Sequence, residues 1–224
     1  MADLAAALLL LADGRFPAGG YAHSGGLEPM IGSGRVHDLD SLERFLQGRA
    51  ATTGAVAAAF AAAACGAFTA DDRRRLAALD GELDARIPSP AQRATSRQLG
   101  RQLLRVVATI QPHPRYSYLD IAPHQPVTLG AAAAAFGLSR GDAALVALHE
   151  TVAGPAAAAV RLLSIDPFAT HALLARLGGQ LNEVAEAAAA ASFGDLDDFP
   201  AAGTPLLDLA AERHAVRTAR LFAS

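Results

Sequence analysis

The 224-residue chain has a single cysteine, Cys65, and its aromatic residues amount to only 5%. One cysteine excludes an intramolecular disulfide framework and cannot by itself build a thiolate metal cage, so a reducing, cytoplasmic setting is expected. Scarce aromatics beside 52% hydrophobic residues, many of them alanine, argue against a strand-rich core and for closely packed helices. Neither sign of charge prevails. A net charge of −3 and a pI near 6.1 provide no global pull toward nucleic acid. Long uninterrupted apolar runs are missing too: Leu4 to Ala12, Gly130 to Phe136 and Ala187 to Ala191 all fall short of the roughly 20 residues a membrane span takes. The first of these follows Asp3 rather than the basic segment that opens a secretory signal. One soluble domain over residues 1–224, with no nucleic-acid or membrane partner, is the expectation.

What the chain does have is helix punctuation. A helix is expected over Ala2 to Ala12, stopping at Asp13-Gly14 ahead of Pro17. Ser24 is suited to N-cap a short helix beginning near Gly25, with Glu28 in the first turn complementing the helix dipole. Asp40-Ser41-Leu42-Glu43 has capping-box spacing and introduces a long helix with Leu42, Phe45, Leu46, Val56 and Phe60 inward. Gly48 and Gly54 weaken it unless close packing requires them. Thr69 to Asp72 caps a helix that fades by Ile87, and Pro88-Ser89-Pro90 restarts the chain with Ser89 as cap. In the next helix Leu99, Leu103, Val106, Val107 and Ile110 form an apolar stripe, and Arg93, Arg97, Arg101 and Arg105 recur on the other side. That cationic stripe reads either as a solvated face or as a contact for an acidic partner.

The proline-rich stretch up to Pro126 reads as a surface excursion. Helices resume near His124, after the Ser139–Asp142 capping box with a kink at Gly154-Pro155, after Asp166-Pro167, and from Thr204-Pro205 into the C-terminus. No β period appears. The fold class is all-α, a single-domain bundle of about eight to ten helices.

The segment Phe16 to Glu28, FPAGGYAHSGGLE, has four glycines, a histidine and a serine. A phosphate cradle needs a Gly-Lys-Ser/Thr turn or a Gly-x-Gly-x-x-Gly turn after a strand, and neither is present. A nucleophile elbow needs a glycine where Ala22 stands. None of the seven histidines has His-x-x-x-His spacing, and His149-Glu150 reads as a hydrogen-bonded pair inside an apolar helix. No catalytic, cofactor-binding or metal-ligating set is assigned; a small helical hydrolase using Ser24 or His149 stands as the alternative. FPAGGYAHSGGLE is better read as a corner between helices.

Two longer stretches carry a resemblance. Leu8 to Leu46, containing FPAGGYAHSGGLE ahead of an acidic-capped helix, resembles the N-terminal signature of the UreF family of urease accessory proteins. That signature is Leu-Pro-x-Gly-Gly-Tyr/Phe-Ser-x-Ser-x-Gly-Leu-Glu. The tail Thr204 to Ser224, TPLLDLAAERHAVRTARLFAS, is similar to the family's closing pattern of Thr-Pro-Leu, an Arg-His pair and Arg-Leu-Phe-x-Ser. The resemblance implies an all-α, usually dimeric protein that is not an enzyme. It implies a scaffold for nickel insertion that binds UreD (UreH in some organisms) and the GTPase UreG and acts on apo-urease. Nickel and GTP are then handled by partners, and the scaffold holds no cofactor. The residues it singles out are Gly19, Gly20, Tyr21, Ser24, Gly26, Leu27 and Glu28, with Arg213, His214, Arg220, Leu221 and Phe222. The glycines would shape the backbone, Ser24 would cap, and the C-terminal arginines and aromatic would dock partners; Leu27, Leu221 and Phe222 read equally as core.

Overall fold

A computed structural model describes residues 4–223. Among these, helices are α1 (Leu4–Ala12), α2 (Leu27–Gly32), α3 (Leu39–Arg49), α4 (Ala55–Thr69), α5 (Arg73–Arg86), α6 (Pro90–Ile110), α7 (Gln125–Ala135), α8 (Arg140–Leu162), α9 (Pro167–Ala191) and α10 (Pro205–Ala215). No strand occurs among the described residues, and the class is all-α as expected. The expected helix start at Ala2 and the last tail residue, Ser224, lie outside them.

Helix α4 is the centre. Every residue from Ala58 to Phe68 is buried, so this helix is apolar all round and has no solvent face. Its neighbours are α5, α7, α8 and α9. Small side chains let the backbones approach closely: a Cβ added to Gly130 on α7 would lie 2.1 Å from the Ala61 carbonyl oxygen of α4. On the far side of α7, a Cβ on Gly100 of α6 would lie 2.0 Å from the Pro123 carbonyl oxygen. Gly100, Leu103 and Val107 are accordingly the buried face of α6. Leu99 and Val106 are only half-buried and Ile110 is exposed, which shifts the expected stripe: the glycine, not the leucine beside it, meets the neighbouring backbone.

Two helix irregularities face each other. A single π-helical turn, Ala50–Gly54, joins α3 to α4. Opposite it, Pro155 sits inside α8 without breaking it. A proline at that place leaves the carbonyl four residues earlier without its amide. That carbonyl, Thr151 O, accepts from Arg49 Nε at 3.2 Å. Gly54 is needed here, since its Cβ would meet Leu148 Cδ1 at 2.7 Å, whereas Gly48 faces open space. The expected reason for both glycines holds only for Gly54.

Caps follow side-chain reach. Asp38, not Asp40, caps α3: its Oδ1 accepts from Ser41 N at 2.8 Å, and Ser41 Oγ accepts from Asp38 N at 3.1 Å. Asp72, Ser89, Ser139 and Asp166 cap α5, α6, α8 and α9. Helix α10 stops at Ala215, short of the C-terminus, and residues 216–223 turn back on the domain. The continuous helical stretch Leu39–Thr69 and helix α8 are long and apolar enough to cross a membrane although no uninterrupted apolar run is. Most of that apolar surface is covered by the domain itself.

Gly130→Ala should therefore lower stability, by roughly 1–3 kcal/mol of overpacking, whereas Gly179→Ala on exposed α9 should raise it by roughly 0.5–1 kcal/mol. Urea titrations of the two variants read the opposite signs directly.

Candidate functional site

The loop after α1 and the tail after α10 meet. Gly19, Gly25 and Gly26 all have positive φ (88°, 60° and 86°). A Cβ on Gly25 would lie 2.9 Å from Pro155 Cγ, and one on Gly26 3.3 Å from Leu207 Cδ2 of α10. Both glycines are thus required by conformation and by contact. Gly20 is not: its φ is ordinary and a Cβ there meets nothing, so the backbone role expected for it is absent. Gly25, missed as a site residue, is the tighter constraint.

Ser24 is fully buried. Its Oγ accepts from Glu28 N at 3.2 Å and its carbonyl accepts from Leu27 N at 3.2 Å. It therefore satisfies first-turn amides of α2 as a cap does, but the capping position itself belongs to Gly26, one glycine beyond the expected start.

Glu28 does more than complement the helix dipole. Its Oε1 accepts from Leu221 N and its Oε2 from Phe222 N, each at 2.9 Å. His214 Nε2 donates to Phe222 O at 3.2 Å and lies 3.7 Å from Glu28 Oε2. Ala223 N donates to Ala22 O at 2.8 Å. The Phe222 ring is buried, with the Arg161 guanidinium carbon 4.6 Å from its centroid. Sequence ends almost 200 residues apart are thus fastened by one carboxylate, one imidazole and a backbone bond.

This clasp sorts the residues singled out from the sequence. Leu27, Glu28, His214 and Phe222 face inward and anchor. Tyr21, Arg213, Arg220 and Leu221 face solvent, and Leu206, Leu209 and Val216 extend the exposed apolar surface along α10 and the tail. Gly19 faces α6 at Gln102 and Leu99 rather than the tail. Arg161 and Leu207 were not legible as partners, because nothing in their spacing ties them to the loop.

A second cluster joins α5, α6 and α7. His124 is fully buried; its Nδ1 lies 3.0 Å from Ser96 Oγ and its Nε2 3.1 Å from Asp84 Oδ1. Arg97 bridges Asp80 and Asp84 and donates to Ala122 O at 2.8 Å. Burial holds His124 below the usual imidazole pKa, and hydrogen bonds from Arg97 hold Asp84 below the usual carboxylate range. A neutral His124 then donates from Nε2 and accepts the Ser96 hydroxyl at Nδ1. The order Ser–His–Asp suggests a nucleophile, but the imidazole is sealed from solvent and Ser96 Oγ also accepts from Gln125 N at 3.3 Å. It is a helix junction. The arginine stripe is divided accordingly: Arg93 and Arg97 are engaged internally, and Arg101 and Arg105 are exposed.

The Ser24/His149 alternative gains nothing from this geometry, since Ser24 is buried with its hydroxyl on a backbone amide. His149 and Glu150 are not bonded as a pair. Glu150 accepts from Gln125 Nε2 at 2.5 Å, and burial pushes its carboxyl up to about 7. Among the described residues, no group of three His, Cys, Asp or Glu is placed to hold a metal ion.

Two tests follow from these contacts. Glu28→Ala removes two charge-assisted bonds worth roughly 1.5–3 kcal/mol each to tail docking. Trypsin should then cut at Arg217 and Arg220 at least about tenfold faster, with the global melting midpoint nearly unmoved. For Glu150 the raised carboxyl stabilises the native state fully below about pH 4.3, and that contribution is lost as pH rises through about 7. Glu150→Gln should gain about 2 kcal/mol more over the parent near pH 8 than near pH 5, measured by denaturant melts.

Comparison with known proteins agrees with the resemblance at both ends. Residues 36–178 match the family model described as UreF, the stretch between most of the clasp residues. The urease accessory protein UreF of Mycobacterium sp. (strain JLS) is 44% identical over 218 residues, covering 97% of this chain and 97% of that protein. That of Mycolicibacterium vanbaalenii is 42% identical and that of Mycobacterium tuberculosis H37Rv 39%, each over 220 residues and 98% of both chains. Loop, core and tail are all spanned by these alignments, and the chain belongs to the UreF family.

Proposed function

We propose that this chain is a docking scaffold in urease maturation. It supports nickel insertion into apo-urease by bridging UreD (UreH) and the GTPase UreG, and it regulates GTP hydrolysis by UreG. In this reading it is not itself an enzyme, it acts in the cytoplasm as a homodimer, and nickel and GTP are handled by its partners. The relatives' name, urease accessory protein, supports the process.

The observation that carries the docking role is the clasp. Its anchors are buried, while Tyr21, Leu206, Leu209, Val216 and Leu221 are exposed together with Arg213 and Arg220. Large apolar side chains beside arginines, held on an ordered backbone, have the composition of a protein interface rather than of a reaction centre.

The test separates anchoring from docking. Tyr21→Glu with Leu221→Glu alters only exposed positions, so the protein should keep its melting midpoint within about 2 °C and lose co-purification with UreD. Retained co-purification would defeat the assignment. Truncation after Glu212 is a blunter version, because it also removes the buried His214 and Phe222.

A further inference from the structure

One inward-turned arginine is left uncompensated. Arg49, the last residue of α3, is half-buried, and burial pushes its guanidinium down to about 10. Other arginines that turn inward meet acids: Arg86 meets Glu82, Arg97 meets Asp80 and Asp84, and Arg115 meets Asp71. Arg49 forms no ion pair with any described residue. Its surroundings are neutral. Nε donates to Thr151 O, and the guanidinium carbon lies 5.8 Å from the Phe45 ring centroid. A cation withdrawn from water without a counter-ion is unfavourable, so the position calls for a charge of opposite sign.

Two further observations say where that charge goes. The first is the unused side of the guanidinium. Nε is its only atom with a hydrogen bond among the described residues, which leaves the edge formed by Nη1 and Nη2 free. That edge is open. The buried polar side-chain atoms that lack a partner belong to Thr53, Arg86, Tyr116 and His214, and neither Nη of Arg49 is among them, so both reach solvent. The second is Gly25. A Cβ there would lie 3.3 Å from Arg49 Nη2 and 2.9 Å from Pro155 Cγ, so this positive-φ glycine keeps a side chain off the guanidinium.

The chemistry of the free edge selects the ligand class. Parallel N–H donors on one edge of a guanidinium fit the oxygens of a planar carboxylate. A phosphate engages the same edge, but Phe45 and Pro155 beside it supply no donor for the remaining oxygens. Water accepts from the edge without compensating its charge, and chloride compensates the charge without the paired geometry.

We propose that Arg49 is the centre of a carboxylate-binding site where α3, α8 and the loop before α2 meet, with the Nη edge gripping both oxygens and Gly25 leaving room for them. A small free carboxylate and the acidic side chain of a partner protein present this same group.

Titrations of the full chain with acetate, phosphate and chloride at constant ionic strength, followed by the amide resonances of Gly25 and Thr151, test the assignment. The shifts should saturate with acetate, and phosphate and chloride should bind at least about tenfold more weakly. Arg49→Lys keeps the charge but loses the fork, and it should weaken acetate at least about tenfold; Arg49→Gln should abolish saturation. The remaining spectrum shows whether each variant is folded, and the ranking of the three ions on the parent chain stands without either variant. The blocked peptide acetyl-Ala-Glu-Ala-amide separates the two sources. Affinity at or above that of acetate assigns the site to a partner's side chain, and exclusion of the peptide assigns it to a small free carboxylate. Non-saturating shifts with acetate would overturn the proposal, and so would equal affinity for the three ions or saturation unchanged in folded Arg49→Gln.

Discussion

The spacing between α4 and α7 governs the rest of the domain. Gly130 lies over the Ala61 carbonyl, so the two helices touch backbone to backbone. No side chain sets their separation, and none can be inserted without moving both. Because α4 is enclosed on all sides, α5, α8 and α9 are placed by the same small-residue surface. A core of this kind takes little volume per residue, which explains how a chain with so few aromatics still buries a complete helix.

Charge does the fastening at the edges. All 19 basic residues are arginine. Many are spent on carbonyls at helix ends rather than on solvent: Arg115 Nη1 on Phe68 O and Thr69 O after α4, and Arg75 and Arg140 on Ser192 O after α9. A planar fork with several donors serves two acceptors at once, and it complements the negative end of the helix. Arg49 on Thr151 O applies the same chemistry to the carbonyl that Pro155 releases.

Helix class and most boundaries were legible because they depend on local chemistry. Ser89, Ser139 and Asp166 cap where their spacing says they should. One error is local, and the others come from contact with distant residues. Asp38 displaced Asp40 as a cap because Ser41 returns its hydrogen bond, a reciprocity that the four-letter spacing alone does not reveal. Ile110 was read as core from periodicity, yet the contact is made one turn and more away, where Gly100 admits the Pro123 carbonyl. For the site, the two signatures were readable as motifs, but not that Glu28 of one takes the amides of the other. A carboxylate that binds backbone leaves no complementary side chain in the sequence to find. Ser96, Asp84 and His124 were invisible for a related reason, since three separate helices bring them together.

The two bonds from Glu28 to consecutive amides have a consequence for how the surface can change. An anchor that grips main chain is indifferent to the side chain at position 221, which leaves that position to be selected for what it meets outside. Attachment and surface chemistry are therefore written in different parts of the same residue. The exposed face of the tail can change one side chain at a time, without the tail ever losing its hold.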